Sequence, residues 1–130
     1  MDVEDYLAYI KSLIIINPFI IHFHIIREET QEKAGLFRYR LILSDKSLLE
    51  IFEYFYILED VVKVEKYSFH WQDAEGNLIS RWDNAKHHPN IATYPNHVHK
   101  NIEDKVYPHK AVDVKAILDI IEMQLSERDR

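Results

Sequence analysis

Near the N-terminus, Val3, Tyr6, Leu7, Ile10, Leu13 and Ile14 recur three and four positions apart, which lays one apolar stripe along a helix. Asp2 stands where an N-cap is needed, with Asp5 three residues on. Asn17-Pro18 ends the helix, because the residue before a proline is pushed out of the helical region. The period then changes to two. Over residues 19–27, Phe19, Ile21, Phe23 and Ile25 point one way and Ile20, His22, His24 and Ile26 the other, a strand buried on one face and mixed on the other.

A polar turn closing at Gly35 leads to a second alternating run, in which Phe37, Tyr39, Leu41 and Leu43 face the core and Arg38 and Arg40 share the opposite face. The turn Ser44-Asp45-Lys46-Ser47 joins it to residues 48–58, rich in strand formers, where Glu50 and Glu53 fall on opposite faces. After Glu59-Asp60 the alternation resumes, Lys63, Glu65, Tyr67, Phe69 and Trp71 against Val62, Val64, Lys66, Ser68 and His70. Residues 73–77, DAEGN, have the form of a three-residue hairpin loop with Gly76 in the left-handed position of a bulge. Pairing Asp73 with Asn77 and counting back sets His70 opposite Ser80 and Phe69 opposite Arg81. A one-residue slip would exchange the faces.

Beyond Trp82 the pattern dissolves into a loop, residues 83–90. A short extended piece, residues 96–100, projects His97 and His99 to one side. A connector runs to Pro108, and a last helix buries Val114, Ile117, Leu118, Ile121 and Leu125, with Asp113 placed to cap it. The expected architecture is α+β: one twisted, mostly antiparallel sheet of about six strands with an N-terminal and a C-terminal helix on one face. The whole of residues 1–130 reads as a single domain, long enough to bury roughly two thirds of its unfolded surface.

Composition narrows the chemistry. Hydrophobic residues at 47% and charged residues at 29% describe a soluble globular chain. There is no cysteine, which excludes disulfides, thiolate metal sites and a cysteine nucleophile and fits a reducing cytoplasm. Two glycines cannot build a phosphate-cradling loop, so nucleotide-cofactor enzymes drop out. The acidic start lacks a secretory leader, and the greasy run over residues 13–26 is broken by Asn17-Pro18, His22 and His24, so no membrane span is expected. Net charge is −6, against a broad nucleic-acid footprint, yet residues 61–110 hold seven Lys/Arg against six Asp/Glu and six of the eight histidines. A local anion-binding face is therefore compatible with an acidic protein.

Residues 66–100 carry both tryptophans and five histidines, His70, His87, His88, His97 and His99. Arg38 and Arg40 either decorate a solvated face or bind an anion. Trp71 and Trp82 are read as core packing or as platforms that stack bases. His97 and His99, joined by His87 or His88, would also supply three nitrogen ligands for a metal ion.

The segments Arg38-Tyr39-Arg40, Leu48-Leu49-Glu50, Tyr67-Ser68-Phe69-His70-Trp71-Gln72, Arg81-Trp82-Asp83-Asn84-Ala85, His87-His88-Pro89 and Tyr94-Pro95-Asn96-His97-Val98-His99 together resemble the TumE family of type II toxin–antitoxin toxins. Lys86 departs from the family pattern, where a proline is usual, and Asn96 stands where a histidine often precedes His97. The resemblance implies a small prokaryotic cytoplasmic toxin acting on RNA and neutralised by a helix-turn-helix antitoxin. A homodimer is left as an option.

Metal-independent RNA cleavage needs a base for the 2′-hydroxyl proton, an acid for the leaving 5′-oxygen and a cation for the phosphorane charge. On that chemistry the catalytic set is His70, Arg81, Asp83, His97 and His99, with Asp83 orienting a histidine. Arg38, Arg40, Lys66, Trp71, Trp82 and His88 are assigned to substrate binding, and no cofactor or metal is assigned. The alternatives are a histidine-based metal site and a non-catalytic interaction module.

Overall fold

The structure is a computed structural model and describes residues 1–128. Helix α1 (Val3–Ile15) opens the chain, seven strands follow, and helix α2 (Val114–Arg128) closes it. The strands are β1 (Ile20–Thr30), β2 (Ala34–Leu43), β3 (Leu48–Leu58), β4 (Val61–Gln72), β5 (Leu78–Asp83), β6 (His97–Lys100) and β7 (Ile102–Pro108). They form one sheet in chain order, each antiparallel to the next. A meander of this kind needs only short turns between neighbours, and the α+β expectation holds with one strand more than anticipated.

Helix α1 starts in a reciprocal capping box: the Asp2 carboxylate accepts from the Asp5 backbone N–H, and the Asp5 carboxylate accepts from that of Asp2. Such a cap contributes about 1 kcal/mol. The predicted stripe of α1 is buried, as is that of α2, where the Asp113 carboxylate accepts from the Ala116 N–H. Against these stripes lie Phe37, Tyr39, Leu41 and Leu43 of β2, Leu49, Ile51, Phe55 and Ile57 of β3, and Phe69 and Trp71 of β4. Each such side chain, taken from water, contributes roughly 1.5–3 kcal/mol.

Four local expectations require correction. Two register shifts break β1, between Ile20 and His22 and between Ile25 and Arg27, so the expected single buried face is lost and Ile21, Ile25 and Ile26 are exposed on this edge strand. A further shift lies where Tyr54 pairs with Lys66 and Phe55 with Val64, which leaves Glu65 over and turns Val62 to the core. The third correction concerns the β4–β5 pair. Asp73 does pair with Asn77 and Gly76 has φ +88°, but a shift beside Trp71 sets His70 opposite Arg81 and Phe69 opposite Trp82. Last, the supposed connector before Pro108 is β7, an edge strand whose residues are exposed apart from the half-buried Val106 and which therefore shows no apolar alternation.

Candidate functional site

The slipped register decides what stands on the face away from the helices. Two rows of paired residues cross the sheet there. One runs Arg40, Glu50, His70, Arg81, His99; the other runs Arg38, Phe52, Ser68, Asp83, His97. Paired residues share a face. Of the five residues expected to be catalytic, all five lie in these rows, together with Arg38 and Arg40.

At the β5–β6 end, polar groups crowd together. The His97 Nε2 is 2.9 Å from Asp83 Oδ1 and 3.0 Å from His99 Nε2, which is itself 3.4 Å from Asp83 Oδ2. Arg81 aims Nε at Asp83 Oδ2 at 3.1 Å, Nη1 at Glu103 Oε1 at 2.8 Å and Nη2 at His99 Nε2 at 3.2 Å. The Ala85 N–H donates to Asp83 Oδ1 at 3.0 Å. Each imidazole is anchored from behind, His97 Nδ1 at 2.8 Å from the Pro95 carbonyl and His99 Nδ1 at 2.8 Å from the Glu103 carbonyl. A carbonyl oxygen only accepts, so each Nδ1 carries a hydrogen and each Nε2 is left facing the shared centre.

His97 and His99 are 2% and 5% exposed, which the sequence did not foretell. What covers them is the loop of residues 84–96, folded back over the sheet. His88 packs edge-on against both rings, at 4.9 Å from that of His97 and 5.7 Å from that of His99. The loop is stitched down on its far side: Asn84 Nδ2 donates to the Glu65 carbonyl, Asn84 Oδ1 accepts from the Tyr67 N–H, and the Tyr67 hydroxyl donates to Asn96 Oδ1. Burial pushes the Tyr67 phenol up to about 12, which keeps it a donor.

Beside this cluster an open cleft of about 370 Å³ is lined by Arg38, Lys66 and Arg81, with Ser68, Asp83 and His87 among its other walls. Three cationic side chains and a hydroxyl around one depression form a binding place suited to an anion. Arg38 and Arg40 are both held by Glu50, at 3.6 and 3.3 Å, and the Arg38 guanidinium lies over the Phe52 ring. His70 is half-buried one strand away from Arg81 in the same row, its Nε2 3.0 Å from Gln72 Oε1.

Trp71 and Trp82 lie on the other side of the sheet. Both are buried in the core, and the Trp71 indole donates to Ser47 Oγ at 2.9 Å, so neither offers a ring face to a ligand in the cleft. Glu103 was missed, because its only signal was a charged segment that reads as a connector. It holds His99 through its carbonyl and Arg81 through its carboxylate.

A family model described as Toxin TumE matches residues 9–128. The chain belongs to the TumE toxin family. It is therefore a toxin of a toxin–antitoxin system, and the family implies an antitoxin as its partner. No curated protein and no solved structure matches it. Among the described residues no helix is long and apolar enough to cross a membrane. Of the two departures from the TumE pattern, Lys86 is exposed in the covering loop, and Asn96 turns its side chain to Tyr67 rather than to the imidazoles. Asparagine at that position therefore takes no ligating or proton-carrying group from the cluster.

Proposed function

We propose that this toxin is a ribonuclease that cleaves RNA by internal transphosphorylation, with histidines carrying the protons and no metal ion in the reacting step. The observation that carries the reading is the cleft of Arg38, Lys66 and Arg81 opening onto the carboxylate that holds His97 and His99. A backbone phosphate seated among the three cations has its charge offset where the phosphorane forms. One imidazole takes the 2′-hydroxyl proton as that oxygen attacks phosphorus. Another returns a proton to the departing 5′-oxygen, leaving a 2′,3′-cyclic phosphate.

His70, His97 and His99 are the imidazoles of these two rows and lie on strands, where geometry is held, and Asp83 positions the last two. Arg81 is the phosphate ligand nearest to them. Since His88 lies over His97 and His99, the loop of residues 84–96 has to lift for both to reach RNA. A helix-turn-helix antitoxin that covers the cleft or holds that loop down neutralises the toxin, and RNA in the cytoplasm is its target.

Purified chain incubated with single-stranded RNA in the presence of a chelator is expected to give fragments ending in 2′,3′-cyclic phosphate. Failure of the pure chain to cut any RNA, with growth arrest intact in cells, overturns the reading.

A further inference from the structure

The cluster of His97, His99 and Asp83 contains more acceptors than its donors satisfy. With both Nδ1 atoms committed as donors to backbone carbonyls, the two Nε2 atoms, which in neutral rings carry only lone pairs, face each other at 3.0 Å, with the two carboxylate oxygens of Asp83 at 2.9 and 3.4 Å. Among the described residues, the donors that reach in are Arg81 Nε and Nη2 and the Ala85 N–H. None of them serves His97 Nε2. Two lone pairs and a carboxylate converging at such separations call for a cation between them.

A third imidazole is at hand. Ligand atoms of His88, His97 and His99 all lie within 4.8 Å of one another. In a tetrahedral site with metal–nitrogen bonds of about 2.0–2.1 Å, ligand atoms stand roughly 3.3 Å apart. The His97 and His99 Nε2 atoms, 3.0 Å apart, already meet that spacing within a few tenths of an ångström, each has one of the two Asp83 oxygens at 2.9 or 3.4 Å, and His88, on a loop rather than a strand, has only to close in. The Nδ1–H to carbonyl bonds are the outer contacts that fix a ligating histidine's tautomer and ring plane.

We propose that His88, His97 and His99, with Asp83 as oxygen donor, bind a divalent first-row transition-metal ion such as zinc or cobalt. An imidazole-rich set of three nitrogens and one carboxylate selects against magnesium and calcium, which prefer oxygen. The ion ties His88 to the sheet and so pins the loop of residues 84–96 over the buried pair. Because it takes the lone pairs that proton transfer uses, the loaded chain is the resting form of the toxin. That last step rests on the ribonuclease reading; binding itself does not.

The test uses full-length chain free of any polyhistidine tag, titrated with Co²⁺ and followed by the visible d–d bands of a protein-bound, low-symmetry ion, then displaced by Zn²⁺. One equivalent is expected. His88→Ala, a loop change that leaves the sheet in place, is expected to weaken binding by at least the tenfold or so that even a change outside the ligands costs. His97→Ala should abolish it, with circular dichroism confirming the fold. Absence of the bands, or bands undiminished in both variants, as exposed His22 and His24 would give, overturns the site. RNA cleavage is assayed on the same samples with chelator and with Zn²⁺. Suppression by Zn²⁺ supports the resting form, and cleavage unaffected by a saturated site overturns it. No cleavage under either condition overturns the ribonuclease reading and leaves the metal site to stand on its titration.

Discussion

His70 and Arg81 face each other across the β4–β5 pair, one residue away from the register that the turn at residues 73–77 dictates by itself. The shift beside Trp71 absorbs one residue of β5, and that residue moves Arg81 from the core face to the histidine face. Without it, Arg81 and Asp83 would point at the helices and the cleft would lose two of its walls.

Arg81 is therefore the most informative single substitution. Its guanidinium reaches Asp83, His99 and Glu103 at once, through three different nitrogens. Arg81→Ala is expected to lower single-turnover RNA cleavage by about 10²–10³, the loss typical of one charge-stabilising donor. Arg81→Lys should recover little of it, since an ammonium cannot span three acceptors in fixed directions. A lysine variant of near wild-type rate, well folded, would remove Arg81 from the chemistry.

Glu53 makes stability depend on pH. It sits on the core face of β3 with no exposed surface, accepts the Tyr6 hydroxyl on Oε1, and leaves Oε2 buried without a hydrogen-bond partner among the described residues. Burial pushes its carboxyl up to about 7; the Tyr6 hydrogen bond opposes the rise and the nearby Asp113 charge adds to it. The folded chain thus holds the proton more tightly than the unfolded chain. Its contribution is fully present below the unfolded value near 4.5 and is lost as pH rises through 7. The loss amounts to about 3 kcal/mol. Glu53→Gln, which keeps the shape without the charge, should be the more stable protein at pH 8 and lose that advantage by pH 5. Urea titrations of both proteins at the two pH values measure it; an advantage that does not change with pH would refute the assignment.

Gly35 is fixed by contact rather than by backbone conformation. A Cβ built there would stand 2.8 Å from the Phe55 Cζ and 3.2 Å from the Glu29 carbonyl oxygen, and the Phe55 ring is wholly buried. Gly35→Ala is expected to cost about 1–3 kcal/mol, the usual penalty of overpacking. Chemical denaturation checks it, and a variant as stable as the parent would mean that β2 and β3 separate more easily than their packing implies.

Where one physical signal dominated, the fold could be read in advance. The stripe Val3 to Ile14, the alternation Phe37 to Leu43 and the stripe Val114 to Leu125 each bury one face, so their period alone located α1, β2 and α2. Residues 102–108 bury almost nothing, and without an apolar period β7 looked like a connector. The bulges at Glu65 and beside Trp71 have no local signature, because a bulge is set by how two strands fit the same core. That is also why His70, Arg81 and Asp83 could be named as site residues while the pairing that gathers them could not. The histidines of residues 97–99 were legible from their spacing, whereas their burial under His88 depends on a loop closure that composition does not encode.

The final prediction separates the histidines by position. His97 and His99 share Asp83 and stand within hydrogen-bond distance of each other, whereas His70 touches Gln72 and stands beside Arg81. Groups that work as one unit are not additive when removed. Proton-transferring groups contribute about 10²–10⁴-fold each, so His97→Ala and His99→Ala should each fall in that range. The double variant should fall little below the worse of the two. His70→Ala, outside the shared cluster, should add its loss in full to either. Cleavage rates of the three single and three double variants, with growth arrest on induction as the cellular readout, make the comparison. Undiminished cleavage by a well-folded His97→Ala/His99→Ala chain would refute a catalytic role for the pair. Full additivity of the two single losses would show that they act apart despite their contact.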